Sequence, residues 1–478
     1  MDYEAIIGME VHAQLKTASK MFCGCDANYA AAPPNTHVCP VCLGLPGALP
    51  VMNRVAIEYV LMAGLALNCA IPEEAKFDRK NYPYPDLVKG YQISQYDMPL
   101  SRDGWIEIRL EDGTAKRIRI RRAHLEEDTG KSTHMGAYSL VDYNRSGMPL
   151  MEVVTEPDIR SGAEAWAYLT KLRAILRYLG IASGNMEEGA MRCEVNISLR
   201  PAGSAAFGTK VEVKNLNSFR SVRQSIDYEI KRQAAILDAG GQVEQVTMGW
   251  DENAGRTVVQ RSKEEANDYR YFPEPDLPVV RARRAWVDEL RARLPELPDA
   301  RQERLIAAGL RPYDAQVLTE EREVAEYVDA ALSAGQAAGA DARSISNWIM
   351  GELFRLLKES GQDIATIQVA PGELAALVGL VNRGAINAAA GKQVLEEMFA
   401  TGRPAAAIVE ARGLAQISDS SELERIVEEA IAANPKAVQD YREGKKAAVG
   451  FLTGQVMRAS RGKANPQVVS ELLRAKLG

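Results

Sequence analysis

The stretch Trp105-Ile106-Glu107-Ile108-Arg109-Leu110, followed beyond Glu111-Asp112-Gly113 by Arg117-Ile118-Arg119-Ile120-Arg121, decides the fold class. Apolar and polar residues alternate strictly in both halves, so each half is a strand with one buried and one wet face. The Glu-Asp-Gly segment supplies the turn, and the two strands read as antiparallel. Residues 1 to about 290 keep this character, with short β-type runs between Gly, Pro, Asn and Asp turns. Two helices interrupt them. Residues 163–180 place Trp166, Leu169, Leu172, Ile175, Leu176 and Leu179 on one stripe, and residues 219–237 form the second helix. The region is therefore α+β. The three prolines of Tyr271-Phe272-Pro273-Glu274-Pro275-Asp276-Leu277-Pro278 require extended chain, and a boundary follows near residue 293. Beyond it the patterns are helical, as in 345–358, and the last segment is Ala-rich and charged, broken at Asn434-Pro435 and Asn465-Pro466. The expected organisation is an α+β domain over 1–293, an all-α domain over 294–405 and a small all-α tail over 406–478.

With 46% hydrophobic and 26% charged residues among 478, the composition is that of an ordinary globular chain. The most apolar run, residues 60–69, is too short to span a bilayer. The first residues carry no basic and apolar leader, which predicts a cytoplasmic protein with no membrane partner. A net charge of −6 argues against general coating of nucleic acid, but it hides a local contrast. Residues 436–478 hold nine Lys or Arg against three acids, whereas 410–435 hold six acids against two Arg. Lys445 and Lys446 precede a predicted helix over 447–457, and Arg458, Arg461 and Lys463 follow it. Lysines near a helix start oppose its dipole, so a phosphate partner accounts for them better than local stability does; the alternative is an ordinary solvated face.

Four of the six cysteines fall within twenty residues: Cys23, Cys25, Cys39 and Cys42. A large chain without a leader does not use such a group as a disulfide frame. The Cys-x-Cys and Cys-x-x-Cys pairs offer four thiolates, the closed tetrahedral set that structural Zn²⁺ prefers, against the alternative of four incidental thiols. His37 is a competing ligand, but four cysteines suffice. Cys193, beside Glu194 with no nearby His, reads as a core cysteine.

A second constellation is acidic. Alternation puts Glu10 and His12 on one face of a strand. Further acids lie in Leu125-Glu126-Glu127-Asp128, Met151-Glu152-Val153 and Cys193-Glu194-Val195, several inside apolar runs. A carboxylate on an apolar strand is costly without a cation. Mg²⁺, which takes oxygen ligands and holds phosphates, would relieve that cost. Ion pairs with Arg117, Arg119, Arg121 and Arg192 are the alternative. Gly130-Lys131-Ser132 mimics the end of a phosphate-binding loop, but Leu125 stands where that motif needs Gly.

Several segments together resemble the B subunits of the tRNA-dependent amidotransferases. They include Ile7-Gly8-Met9-Glu10-Val11-His12, Lys76-Phe77-Asp78-Arg79-Lys80-Asn81-Tyr82, Tyr91-Gln92-Ile93-Ser94-Gln95-Tyr96, Glu126-Glu127-Asp128-Thr129-Gly130-Lys131-Ser132, Lys214-Asn215-Leu216-Asn217-Ser218 and Asp268-Tyr269-Arg270-Tyr271-Phe272-Pro273. The resemblance runs through essentially the whole chain. It implies a first domain similar to the glutamine synthetase/guanido kinase class. It also implies ATP-dependent phosphorylation of the side-chain carboxylate of Glu-tRNA(Gln) or Asp-tRNA(Asn), followed by amidation. Ammonia would come through a tunnel from the amidase (glutaminase) partner, the A subunit, and the small C subunit would complete the complex. Carried over by residue, Mg²⁺ ligands come from Glu10, His12, Glu127, Glu152 and Glu194, with Glu126 adjacent, and Lys80 is the candidate tunnel gate. The basic residues of the tail become candidate tRNA contacts. Some relatives lack the four cysteines, so zinc is expected to stabilise and not to react. Two other functions compete: a stand-alone glutaminase or amide ligase relying on Cys193, and a non-catalytic tRNA-binding or zinc scaffold.

Overall fold

The computed structural model describes residues 2–262, 268–415, 420–443, 445, 447–460, 464 and 466–477. Two compact units divide the chain, Met1–Pro298 and Asp299–Gly478.

The first unit is built on one eight-stranded sheet. Its strands are β1 (Tyr3–Gln14), β2 (Ser101–Arg109), β3 (Ala115–Glu127), β4 (Pro149–Thr155), β5 (Met191–Pro201), β6 (Val211–Leu216), β7 (Val246–Asp251) and β8 (Arg256–Ser262). Their spatial order is β8-β7-β6-β5-β1-β4-β3-β2. All pairs are antiparallel except β6 with β7, which are joined through a helix as parallel neighbours require. The hairpin expected from alternation is β2–β3, with Ile106 opposite Ile118 and Trp105 opposite Arg119. Gly113 closes its turn at φ 85°, a conformation that costs glycine nothing.

Three helices serve the sheet: α1 (Arg54–Ala66), α2 (Gly162–Tyr178) and α3 (Phe219–Asp238). Ser161 caps α2 by accepting from the Glu164 N–H, and Ser218 caps α3 by accepting from the Ser221 N–H. Leu169, Leu172, Ile175, Leu176 and Leu179 are buried as the stripe predicts. Trp166 departs from it: the residue is 40% exposed and meets Phe219 edge-on at 6.1 Å, while Ala165 and Tyr168 take the core positions. One apolar cluster unites these helices with Val11, Ala13, Ala123, Leu125, Met151 and Val153. Truncating a side chain as buried as Leu172 typically costs about 2–5 kcal/mol.

The strand β3 changes phase. Ile118 and Ile120 face the core, then a register shift between Ile120 and Arg122 inserts one extra residue, and Ala123 and Leu125 face the core instead. This β-bulge turns Arg122, His124 and Glu126 to the opposite face, whereas alternation unbroken from Ile118 would have pointed them at the helices.

A small three-stranded sheet of Asp78–Asn81, Tyr91–Ser94 and Phe272–Pro273 carries Lys80. The second unit is helical throughout its described residues, with two apolar clusters, one over residues 305–409 and one over 423–477. The segment read as one helix over 345–358 contains a π turn, Ile349–Leu353, between Ala342–Trp348 and Phe354–Ser360. Among the described residues no helix is long and apolar enough to cross a membrane.

Candidate active site

The face of the sheet away from the apolar cluster carries a cross-strand row. His12 on β1 stands opposite Glu152 on the neighbouring β4, and Glu152 stands opposite His124 on β3. Glu126 lies two residues beyond His124 on the same face. His12 Nε2 is 3.3 Å from Glu152 Oε2 and 3.5 Å from Glu126 Oε1. His124 Nε2 lies 3.5 Å from Glu152 and 3.8 Å from Glu126. Ligand atoms of His12, Glu126 and Glu152 all fall within 4.8 Å of one another. Two carboxylates and an imidazole converging from three adjacent strands are a donor set that suits a hard divalent cation.

The electrostatics agree. Burial and the neighbouring Glu152 and Glu194 carboxylates push Glu10 above the usual carboxylate range. At His12 burial opposes protonation, but Glu152 and Glu126 outweigh it and raise the pKa to about 9. Burial likewise works against the charge on Glu152, and His124 and His12 hold its pKa well down. With protein groups alone, protonated His12 and the more distant Lys80 ammonium supply these acids with countercharge, a role that a metal cation would share.

The other expected ligands are engaged elsewhere. Glu10 shares the face of His12 but accepts from Asn196 Nδ2 at 3.0 Å. Glu194, opposite Glu10 on β5, is ion-paired with Lys214 at 2.8 Å. Glu127 points to the other side of β3, where Lys89 and the Ile93 N–H, at 3.0 Å, hold it. Lys80 makes no direct ion pair among the described residues. Its Nζ sits 5.0 Å from the Tyr269 ring and 5.9 Å from Tyr82, and Tyr271 stacks on Tyr96 at 4.4 Å. Burial opposes the Lys80 charge, yet Glu126, Tyr271 and Glu152 raise its pKa. The arginines offered as alternative partners pair with different acids: Arg117 with Glu107, Arg119 with Asp158, Arg121 with Glu156 and Arg192 with Asp128.

The four cysteines form a second cluster in the loop between β1 and α1. Their sulfurs all lie within 4.8 Å of one another, and Cys39 and Cys42 are 3.9 Å apart. Sulfurs at about 2.3 Å from a tetrahedral Zn²⁺ are about 3.8 Å from each other, so the set fits zinc. The contact with Cys23, a Cys39 N–H bond at 3.1 Å and Lys20 lower the Cys42 pKa to about 5. His37 is not among the converging groups; its Nδ1 faces the Asp26 carbonyl at 3.2 Å. Lys20, fully buried, donates to the His37 carbonyl at 2.7 Å and to the Tyr143 carbonyl at 3.3 Å, with Cys42 Sγ 3.8 Å away.

In the tail, Lys445 pairs with Asp440 at 2.7 Å and Arg458 closes the last turn of the helix Ala447–Ala459. Lys446, Arg461 and Lys463 lie outside the described residues. Two site groups escape the sequence reading. His124 was detectable only by recognising the phase change after Arg121. Lys20 was an unremarked lysine beside Met21-Phe22, an apolar context that hints at burial.

Residues 5–288 match the GatB/GatE catalytic domain and residues 326–477 the GatB domain. Three curated relatives are each named as the B subunit of an aspartyl/glutamyl-tRNA(Asn/Gln) amidotransferase. That of Moorella thermoacetica is 56% identical, with 100% of each chain covered. That of Thermomicrobium roseum is 54% identical over 100% of this chain and 99% of its own. That of Carboxydothermus hydrogenoformans is 52% identical, with the same coverage. The full-length match and the cross-strand His and Glu row lead to one conclusion: the chain belongs to the family of aspartyl/glutamyl-tRNA amidotransferase B subunits.

Proposed function

We propose that this chain uses ATP to phosphorylate the side-chain carboxylate of Glu-tRNA(Gln), Asp-tRNA(Asn) or both, and then exchanges phosphate for ammonia. Its relatives are named for amidotransfer on these tRNAs, and the chain works within that multi-subunit enzyme, which makes Gln-tRNA and Asn-tRNA by transamidation. The observation that supports the chemistry is the convergence of His12, Glu126 and Glu152 on one sheet face.

A free carboxylate is a poor acyl donor because oxide leaves badly. In the proposed first step a carboxylate oxygen bonds to the terminal phosphorus of ATP, and ADP leaves with the electrons of the broken P–O bond. In the second, ammonia bonds to the carboxyl carbon, the C–O bond to phosphate breaks, and nitrogen loses one proton. Mg²⁺ held by His12, Glu126 and Glu152, with Glu10 beside them, would neutralise phosphoryl charge and fix the in-line geometry. Glu127 and Glu194 fit a supporting role, through their bonds to Lys89 and Lys214. Lys80, boxed by tyrosines at the edge of the acids' field, fits a gate that admits ammonia and limits water.

The same reading takes the first domain, 1–293, as similar to the glutamine synthetase/guanido kinase class, with 294–405 and 406–478 as helical and tail domains. The separate apolar clusters of the second unit favour a helical and a tail domain, with the break after the helix Ala405–Arg412, since Ile408 and Val409 pack in the first cluster. It gives Zn²⁺ at Cys23, Cys25, Cys39 and Cys42 a structural role and assigns tRNA contact to Lys445, Lys446, Arg458, Arg461 and Lys463. It places the work in the cytoplasm, with the glutaminase A subunit and the small C subunit. Cys193 does not suit a stand-alone glutaminase, being buried with its thiol pKa pushed well up.

The test is reconstitution with both partner chains on each mischarged tRNA. Amide formation coupled to ADP release on at least one tRNA is expected, with no glutamine hydrolysis by this chain alone. Amidation that proceeds without ATP consumption would overturn the reading.

A further inference from the structure

Basic residues crowd β3, and nearly all of them are matched to acids. Lys116 pairs with Glu164 at 2.7 Å, Arg119 with Asp158 at 2.6 Å and Arg121 with Glu156 at 2.9 Å, while Arg117 reaches Glu107 at 4.0 Å. Arg122 is the exception. Its Nε is buried without a hydrogen-bond partner, and among the described residues no carboxylate pairs with it. A buried guanidinium nitrogen left unbonded costs about 1–3 kcal/mol or more, a cost that a structure tolerates where a ligand supplies the acceptor.

The position of Arg122 says what that ligand is. The bulge just before it turns the side chain to the face of His124 and Glu126. Arg122 stands opposite Val154, and Val154 stands opposite Glu10. Arg122 therefore shares a cross-strand row with Glu10, with one strand between, next to the row of His124, Glu152 and His12. It also acts on Tyr271, which feels Lys80, Glu126 and Glu152 as well. An arginine this close to acids, yet bonded to none, is held for an anion that arrives between it and a cation.

We infer that Arg122 forms, with the His12, Glu126 and Glu152 cation site, an anion subsite for a tetrahedral phosphoryl or planar carboxylate group. The inference rests on the proposed function, which brings two such anions to this face: the terminal phosphoryl group of ATP and the side-chain carboxylate of the amino acid esterified to tRNA. A guanidinium presents two donors to either one and, together with a divalent cation that His12, Glu126 and Glu152 would hold, would attract the anion from a second side, so it would align the group without itself reacting. Arg122 is a positioning residue, and the β-bulge is the device that delivers it.

Arg122→Gln and Arg122→Lys, each assembled with the partner chains, test this. Three quantities are read: ATP affinity without tRNA, KM for mischarged tRNA at saturating ATP, and glutamine hydrolysis by the glutaminase partner, the last to verify assembly. If the subsite takes phosphoryl oxygens, Arg122→Gln weakens ATP about ten-fold or more and leaves the tRNA KM nearly unchanged. If it takes the carboxylate, the tRNA KM rises by that factor and ATP binds normally. In both cases Arg122→Lys recovers part of the loss, because charge persists without the fork. Unchanged ATP affinity and unchanged tRNA KM in an assembled Arg122→Gln complex overturn the inference. An unmutated complex that consumes no ATP with mischarged tRNA overturns the functional reading beneath it instead.

Discussion

The two candidate metal clusters of the first unit are built in opposite ways. The cysteine cluster sits on a loop and uses one donor type four times, as many donors as a tetrahedral ion takes. The His12, Glu126 and Glu152 cluster sits on three neighbouring strands, mixes imidazole with carboxylate, and supplies only part of a coordination shell. A loop can wrap a metal because the metal organises it. A sheet cannot adapt in that way, so its ligands hold their geometry before any ion or substrate arrives, as a reaction centre requires. The lesson is that donor chemistry and scaffold stiffness together separate a structural ion from a working one.

The largest effect that would break this contrast is at the sheet. Glu152→Gln in the assembled enzyme should lower amide formation by about 10²–10³-fold while glutamine hydrolysis persists, because the amide keeps the shape but loses the charge. Glu10→Gln should act in the same direction. A loss under about ten-fold in both would make these acids structural. Next comes the loop. Cys39→Ser should release about one zinc per chain, measured by metal analysis, and lower the melting temperature by roughly 5 °C or more, with amidation per folded molecule nearly preserved. Zinc absent from the unmutated protein would remove the cluster's role altogether. Smaller still is Lys20→Met. A buried ammonium beside Cys42 offsets part of the negative charge of a four-thiolate site, so this variant should keep zinc but yield it to a chelator about ten-fold more readily. The smallest effect lies in the other unit. Replacing Lys445 and Lys446 with Ala should flatten the salt dependence of tRNA binding by about one to two charges and spare ATP affinity. Because Lys445 already pairs with Asp440, an unchanged salt slope would assign the tail's charge to its own acids.

The same two clusters show how far sequence carries the argument. Cysteine spacing needs no three-dimensional knowledge, since all four ligands come from one short loop. The sheet cluster combines residues from β1, β3 and β4, and only the long-range pairing of His12 with Glu152 and of Glu152 with His124 assembles it. Resemblance pointed to β1, β3 and β4, but also to Glu194 on β5, which pairs with Lys214, and to Glu127, whose neighbour Glu126 faces the cluster instead. The alternation that disclosed the β2–β3 hairpin gave no warning of its own interruption, although the consecutive Arg121-Arg122 pair marks it. Trp166 fitted a helical stripe by spacing but lies at its margin, where Phe219 of α3 meets it. Lys20 looked like any surface lysine because its partners are carbonyls and a thiol rather than an acid close in sequence.

The bulge at β3 also makes the chain length of one strand matter more than its composition. Deleting Arg121 would remove the extra residue and leave Arg122, His124 and Glu126 on the site face, whereas deleting Ala123 would send His124 and Glu126 toward the helices and Leu125 to the opposite face. An insertion in the Glu111-Asp112-Gly113 turn, on the same strand pair, changes no such phase. Tolerance to indels along this hairpin should therefore be sharply uneven: gene variants that gain or lose a codon survive at its tip, loss of residue 121 only straightens the strand, and loss of residue 123 abolishes the site.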